Sequence, residues 1–208
     1  MNPDYTLYLA TDPGLLGDRR LEEVVETAIL NGVTLVQLRD KTATAQALFE
    51  TGRRLLAITR RHGIPLIVND RLDLMLALEA AGVHLGQEDL PLEQARRLAH
   101  GKIVGCSVST LEHLRHAEEA GADYVGLGPV FATATKGDTA PALGLAGLRR
   151  LAATARVPCV AIGGITAANA SAVKATGVAG VCVISAILGA ADTARAVREL
   201  RGALGGSH

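Results

Sequence analysis

Arg39 and Lys41 close the run LVQLRDK, Asn69 and Asp70 close PLIVND, and Asp89 closes GVHLGQED. Neighbouring strands lie only ~4.8 Å apart, so carboxylates that follow adjacent strands can reach one ion. Mg2+ takes one or two protein carboxylates and fills the rest of its shell with phosphate oxygens and water. Gln37, Arg39 and Lys41 alternate onto one face of their run, while Val36 and Leu38 point to the covering helices. A plainer reading pairs Arg39 with an interior carboxylate and uses Asp70 or Asp89 to cap the helix that follows. Two cations and an amide on one strand end favour a dianionic ligand, because unpaired buried charge is costly. Asn69 adds a neutral hydrogen bond to the same group.

A second set of residues has different chemistry. Thr133, Ala134, Thr135 and Lys136 lie on the connection from Phe131 to Pro141, the longest in the chain, which reads as a binding loop or as plain surface. Gly163 and Gly164 end VAIGGI, and Ile184 and Ser185 end VCVISA. Glycines and a helix start at this point of a barrel form a phosphate site built from backbone N–H groups, although a tight turn alone also needs glycine. Two anion subsites suggest two small phosphorylated substrates. No triad, activated thiolate or acid–base pair stands out, so the chemistry expected is stabilisation of a departing anion.

These residues must be held by a scaffold, and the apolar periodicity supplies one. Strand-like runs fall near residues 6 to 11, 34 to 39, 65 to 69, 83 to 86, 102 to 107, 124 to 130, 158 to 163 and 180 to 184, each followed by a stretch of helical period. Eight such pairs make a single-domain (β/α)8 TIM barrel, with active-site residues at the C-terminal ends of the strands. An open doubly wound sheet needs a glycine-rich turn after the first strand, and YLATDPG has no GxGxxG. The domain is expected over residues 1–204, with 205–208 a flexible tail. Asp70 with Asp73, Ser109 with Glu112, Thr166 and Asp192 read as helix starts, and Pro91 suits a first helical turn.

Composition narrows the partners. Lysine plus arginine (21) balances aspartate plus glutamate (21), so no global field attracts nucleic acid or an anionic membrane. Two Phe, three Tyr and no Trp leave few platforms for stacking bases. Cys106, Cys159 and Cys182 are widely spaced in expected strands and read as reduced core thiols, which favours the cytoplasm. Residues 1–20 hold no apolar signal-peptide core. The nearly uncharged segment 157–191 is broken by Pro158 and several glycines into pieces shorter than the ~20 residues of a membrane span. His84 reads as a hydrogen-bonded core histidine, His113 and His116 as solvated helix residues, and His62 and His100 as helix-end residues suited to the dipole there.

The stretches LYLATD, VQLRDK, VNDRLDLMLALEAAGVHLGQEDLP, VGCSVS, GADYVGLGPVFATATKGDT, VAIGGI and GVCVISAI together resemble the thiamine-phosphate synthase family, in order over almost the whole chain. The resemblance implies a barrel that joins a pyrimidinylmethyl diphosphate to a (carboxy)hydroxyethylthiazole phosphate, giving thiamine phosphate and pyrophosphate with Mg2+. Carried onto this chain, it assigns Gln37, Leu38, Arg39, Asp40, Lys41, Asn69, Ser107 and Lys136 to the pyrimidine diphosphate, and Asp70 and Asp89 to the metal. Thr133, Ala134, Thr135, Gly164, Ile184 and Ser185 fall to the thiazole phosphate. Arg39, Lys41 and Lys136 are the catalytic cations. It further implies a dissociative path, in which pyrophosphate leaves, a pyrimidine-stabilised carbocation forms and the thiazole nitrogen captures it. A homodimer is compatible with the resemblance.

Two positions depart from the pattern. Ser109 stands where many relatives carry a histidine, and Ala132 where a proline is frequent. Thiazole tautomerases, a related group of isomerases, use that histidine and lack much of the diphosphate set, so Ser109 beside Arg39, Lys41, Asp70, Asp89 and Lys136 argues against them. A non-catalytic phosphate-ligand barrel would need only the glycine site and leaves the carboxylates and cations without a purpose.

Overall fold

The computed structural model describes residues 3–133 and 141–205. Its elements run β1 (Leu7–Ala10), α1 (Leu21–Leu30), β2 (Leu35–Leu38), α2 (Ala45–Arg61), β3 (Leu66–Asn69), α3 (Leu72–Leu78), β4 (Gly82–Leu85), α4 (Leu92–Leu98), β5 (Ile103–Val108), α5 (Leu111–Glu119), β6 (Tyr124–Leu127), α6 (Gly144–Thr154), β7 (Cys159–Ile162), α7 (Ala167–Lys174), β8 (Gly180–Val183), α8 (Ser185–Leu188) and α9 (Thr193–Ala203). All eight strands pair in parallel with their sequence neighbours, and β8 pairs with β1 to close the barrel. This is the single-domain (β/α)8 barrel that the alternation of periods implies. One detail differs from eight simple pairs: the segment after β8 holds the short α8 before α9.

The strands are short and buried on both faces, which is why they read as continuous apolar runs rather than as alternating ones. Successive side chains still alternate between the interior and the helices. Tyr8, Gln37, Arg39, His84, Tyr124, Val160, Ile162 and Cys182 line a small cavity inside the barrel. Leu38 instead faces α2, where a methyl group on Gly52 would lie 2.9 Å from Leu38 Cδ2. The Tyr124 ring needs space of its own. A Cβ at residue 105 would sit 2.2 Å from Tyr124 Cζ, so glycine there lets the ring cross the barrel.

Helix starts follow the sequence reading in part. Asp192 Oδ1 accepts from Arg195 N at 2.9 Å, and Thr166 forms a capping box with Asn169. Three expectations need correction. The cap of α3 is Arg71, so Asp70 is left for other work. Thr110, not Ser109, caps α5, its Oγ1 accepting from His113 N at 3.1 Å. Pro91 precedes the first helical turn of α4 as its cap residue. The three cysteines are buried and none is in a disulfide, as expected of core thiols. Among the described residues no helix is long and apolar enough to cross a membrane. Of the expected tail, residues 206–208 lie outside the described residues.

Candidate active site at the barrel mouth

A cleft of about 320 Å³ opens at the C-terminal ends of β2 to β6, and Arg39, Lys41, Asn69, Asp70, Asp89, Ser107 and Pro129 are among the residues that line it. Arg39 is the first residue past β2 and is only 5% exposed. Thr11, past β1, pins its backbone: Thr11 Oγ1 donates to the Arg39 carbonyl and accepts from its N–H, both at 2.8 Å. Arg39 Nη1 donates to Asp12 Oδ2 at 3.0 Å. The plainer sequence reading of Arg39 is therefore right about the partner's chemistry, although that carboxylate stands at the rim and not within the barrel. The ion pair does not remove Arg39 from the cleft, since a guanidinium has five donors in a fixed fork. Lys41 belongs to the same face but is exposed at the cleft edge.

Asp70 and Asp89 come together, as adjacent strands require. The Asp70 N–H donates to the His84 carbonyl at 2.8 Å, extending the β3–β4 ladder by one step. Its φ of 60° turns the chain into the left-handed region, which an aspartate tolerates better than most residues. Asp89 Oδ2 accepts from Gly86 N at 2.6 Å, which folds the loop after β4 back over the strand end. Burial is the main reason that the Asp70 carboxyl is pushed up to about 6. The hydrogen bond and charge it shares with Asp89 add to the rise, and Lys41 and Arg39 oppose it. Two carboxylates held this close repel when both are ionised, and a divalent cation between them relieves that strain. No group of three or more metal-capable side chains exists among the described residues. Two adjacent carboxylates match the one or two that Mg2+ ordinarily takes from a protein, phosphate oxygens and water filling the rest of its shell.

The other expected residues divide clearly. Asn69 and Ser107 line the cleft. Gln37 lies deeper, in the interior cavity. Leu38 faces the helices, and Asp40 turns away to bind its own loop, accepting from Thr42 N at 2.9 Å and Ala43 N at 3.1 Å. Those bonds hold its carboxyl below the usual range despite the opposing effect of partial burial. Neither side chain lines the cleft, so their expected contribution there reduces to the backbone that connects Gln37, Arg39 and Lys41. Ala134, Thr135 and Lys136 lie outside the described residues.

A second, narrower depression adjoins the cleft, with Thr133, Gly163, Gly164, Ile184 and Ser185 along its lining and Pro129 common to both. The Val130 and Phe131 N–H groups donate to the carbonyls of Ile162 and Gly163 at 2.9 and 3.1 Å, which carries the β6–β7 pairing up to the glycines. Gly164 has φ +65°, and a Cβ there would lie 2.8 Å from Phe131 Cβ. Glycine is required by conformation and by contact at once.

Several residues at the site escaped the sequence reading. Asp12 was visible only as part of YLATDPG, and its role depends on the β1–β2 register. Glu88 also lines the cleft. His113, expected to be solvated, has its Nδ1 3.2 Å from Ser109 Oγ, and Ser109 faces the cleft. Gln87 Nε2 donates to the Ser107 carbonyl at 2.6 Å and so fixes the end of β5.

The sequence profile described as "Thiamine monophosphate synthase" matches residues 7–187. A thiamine-phosphate synthase of Chloroflexus aurantiacus is 47% identical over 198 residues, 95% of this chain and 92% of that protein. One from Natronomonas pharaonis is 49% identical over 210 residues, covering 99% and 98%. The solved structure of a thiamine phosphate pyrophosphorylase from Pyrococcus furiosus superposes with a TM-score of 0.91 at 41% identity, over 98% of this chain and 97% of that one. With likeness of this extent in both sequence and fold, the chain belongs to the thiamine monophosphate synthase family.

Proposed function

We propose that the two joined depressions hold the two substrates of one condensation. The acid- and cation-lined cleft takes a pyrimidinylmethyl diphosphate, and the glycine-lined depression takes a (carboxy)hydroxyethylthiazole phosphate. The observation that carries this reading is the close pair Asp70 and Asp89, set among Arg39 and Lys41 in a cleft that shares Pro129 with the glycine site. Carboxylates and cations side by side suit a ligand that brings its own metal ion and several anionic oxygens.

Asp70 and Asp89 would hold Mg2+, which supplies Lewis-acid stabilisation of the charge that builds on the departing diphosphate. Arg39 is already oriented by Thr11 and Asp12, so its charge stands in place without first reorganising. Lys41 and Lys136 add cations from the cleft edge and from the long loop. The C–O bond to the diphosphate breaks first, leaving a carbocation stabilised by the aminopyrimidine, and the thiazole nitrogen then supplies the electron pair of the new C–N bond. A ring nitrogen with a free lone pair needs no general base, in keeping with a site rich in cations. Buried cysteines outside any disulfide fit a reducing compartment, so the cytoplasm belongs to this reading.

The test is turnover of the purified protein with Mg2+ and both substrates. Release of pyrophosphate together with thiamine phosphate is expected, and chelation of the metal should stop it. Absence of both products, with tautomer exchange of the carboxythiazole phosphate in their place, would transfer the protein to the isomerases.

A further inference from the structure

A chain of hydrogen bonds crosses the barrel interior below the cleft. Gln37 Nε2 donates to the Tyr8 hydroxyl at 2.8 Å, and the Tyr8 and Tyr124 hydroxyls lie 3.0 Å apart. The Tyr124 hydroxyl meets His84 Nδ1 at 2.9 Å, and His84 Nε2 meets Ser107 Oγ at 2.9 Å. Its members come from β2, β1, β6, β4 and β5 in turn. One end lies deep beside Arg39, and the other, Ser107, faces the cleft.

An NH₂ group only donates, so the Tyr8 oxygen accepts from Gln37, and the arrangement that uses every hydroxyl hydrogen within the chain sends the Tyr8 proton to Tyr124. Tyr124 then donates to His84 Nδ1. A ring nitrogen that accepts leaves the ring proton on Nε2, which donates to Ser107 Oγ. In this arrangement the Ser107 oxygen is engaged from below as an acceptor, which leaves its hydroxyl to act as a donor toward any further partner. Burial pushes both tyrosine hydroxyls well above their usual range, so the chain keeps its full complement of protons. The His84 ring packs beside Tyr124 with centroids 5.5 Å apart, and a Cβ at residue 126 would come within 3.2 Å of its Cε1, so glycine there makes room for the ring.

We infer that His84 is a positioning residue: the Tyr124 hydroxyl locks it as the Nε2–H tautomer, and it thereby presents Ser107 to the pyrimidine diphosphate as a hydrogen-bond donor. The inference rests on the proposed function, since it needs Ser107 in a substrate cleft. The polarity of the chain is nonetheless a property of the ligand-free protein, and it is measured separately.

Nitrogen-15 NMR of the histidine-labelled protein, with the His84 signals assigned by their loss in His84→Gln, should show Nδ1 unprotonated and Nε2 protonated. Tyr124→Phe keeps the ring over Gly105 and removes the hydroxyl, so the two tautomers should mix. In that variant kcat should fall by about 10- to 100-fold, as misplacement of a contact group does, while KM for the thiazole phosphate stays unchanged. His84→Gln retains a donor toward Ser107 and should keep more turnover than His84→Leu. A purely structural role would lower the melting temperature of these variants without this split. An Nδ1-protonated His84 in the unaltered protein overturns the inference even if no variant folds. So does a Tyr124→Phe protein with mixed tautomers and normal kcat. If the tautomer is as stated but the unaltered protein does not condense its substrates, the functional reading fails and takes the role of Ser107 with it.

Discussion

Asp70→Asn should make the metal-free protein more stable and the enzyme far less active. The folded-state carboxyl is raised from 3.8 to about 6, by burial first and by Asp89 next. Taken whole, that rise is about 3 kcal/mol against the ionised form. Asp70 is only half-buried, and solvent screening brings the usable figure to about 1 kcal/mol. For a chain of this length 1 kcal/mol moves the melting temperature by about 2–4 °C. The sign follows from the direction of the shift. Unfolded Asp70 ionises near 3.8 and folded Asp70 near 6, so the penalty is absent below the lower value, grows between the two and is complete above the upper. The variant should therefore melt about 3 °C higher than the unaltered protein at pH 7.5 and show almost no difference at pH 4. Asparagine also tolerates the left-handed backbone at φ 60°, so the exchange adds no strain there. Adding Mg2+ with pyrophosphate should stabilise the unaltered protein more than the variant, and turnover should fall by at least about tenfold. Scanning calorimetry at the two pH values, with and without the ligands, checks all of this. A variant that melts lower at pH 7.5, or that differs equally at both pH values, refutes the view that burial and Asp89 hold the ionised Asp70 at a cost in the metal-free protein.

Asp12→Asn removes the anionic partner of a nearly buried guanidinium, and should cost about 1–3 kcal/mol in chemical denaturation while raising KM for the pyrimidine diphosphate; unaltered kinetics would limit Asp12 to a structural role. Gly164→Ala places a methyl group 2.8 Å from Phe131 Cβ at φ +65°, so KM for the thiazole phosphate should rise with that for the diphosphate unchanged, as measured by initial rates. Burial pushes the Cys106 and Cys159 thiols up to about 11, whereas in the unfolded chain they ionise near 9.0. Stability should therefore decline as pH rises from about 9 to 11, and iodoacetamide at pH 8 should label them only when denaturant is present; rapid labelling of the native protein would contradict their burial.

The barrel was legible because its signal is redundant. Each strand repeats the same apolar run followed by a helical period, and an error at any one boundary leaves the count unchanged. The polar strand ends were legible for a related reason: a cation or carboxylate directly after a buried run has few places to point except the rim. Side-chain direction within the loops was not legible, since it depends on a single dihedral or a single competing bond. Asp40 was grouped with Arg39 and Lys41, but hydrogen bonds to Thr42 and Ala43 hold it in its own turn. Asp70 and Ser109 look like helix caps, yet Arg71 and Thr110 start those helices and leave the two side chains to the cleft. The interior chain was hidden for another reason. Tyr8, Gln37, His84 and Tyr124 are spread over more than a hundred residues, and only the closed register of β1 to β6 brings them into a line. Each looks like an ordinary core residue by itself. Their shared direction emerges only once donors and acceptors are assigned together, so the polar contents of the barrel are a property of its closure and not of any one strand.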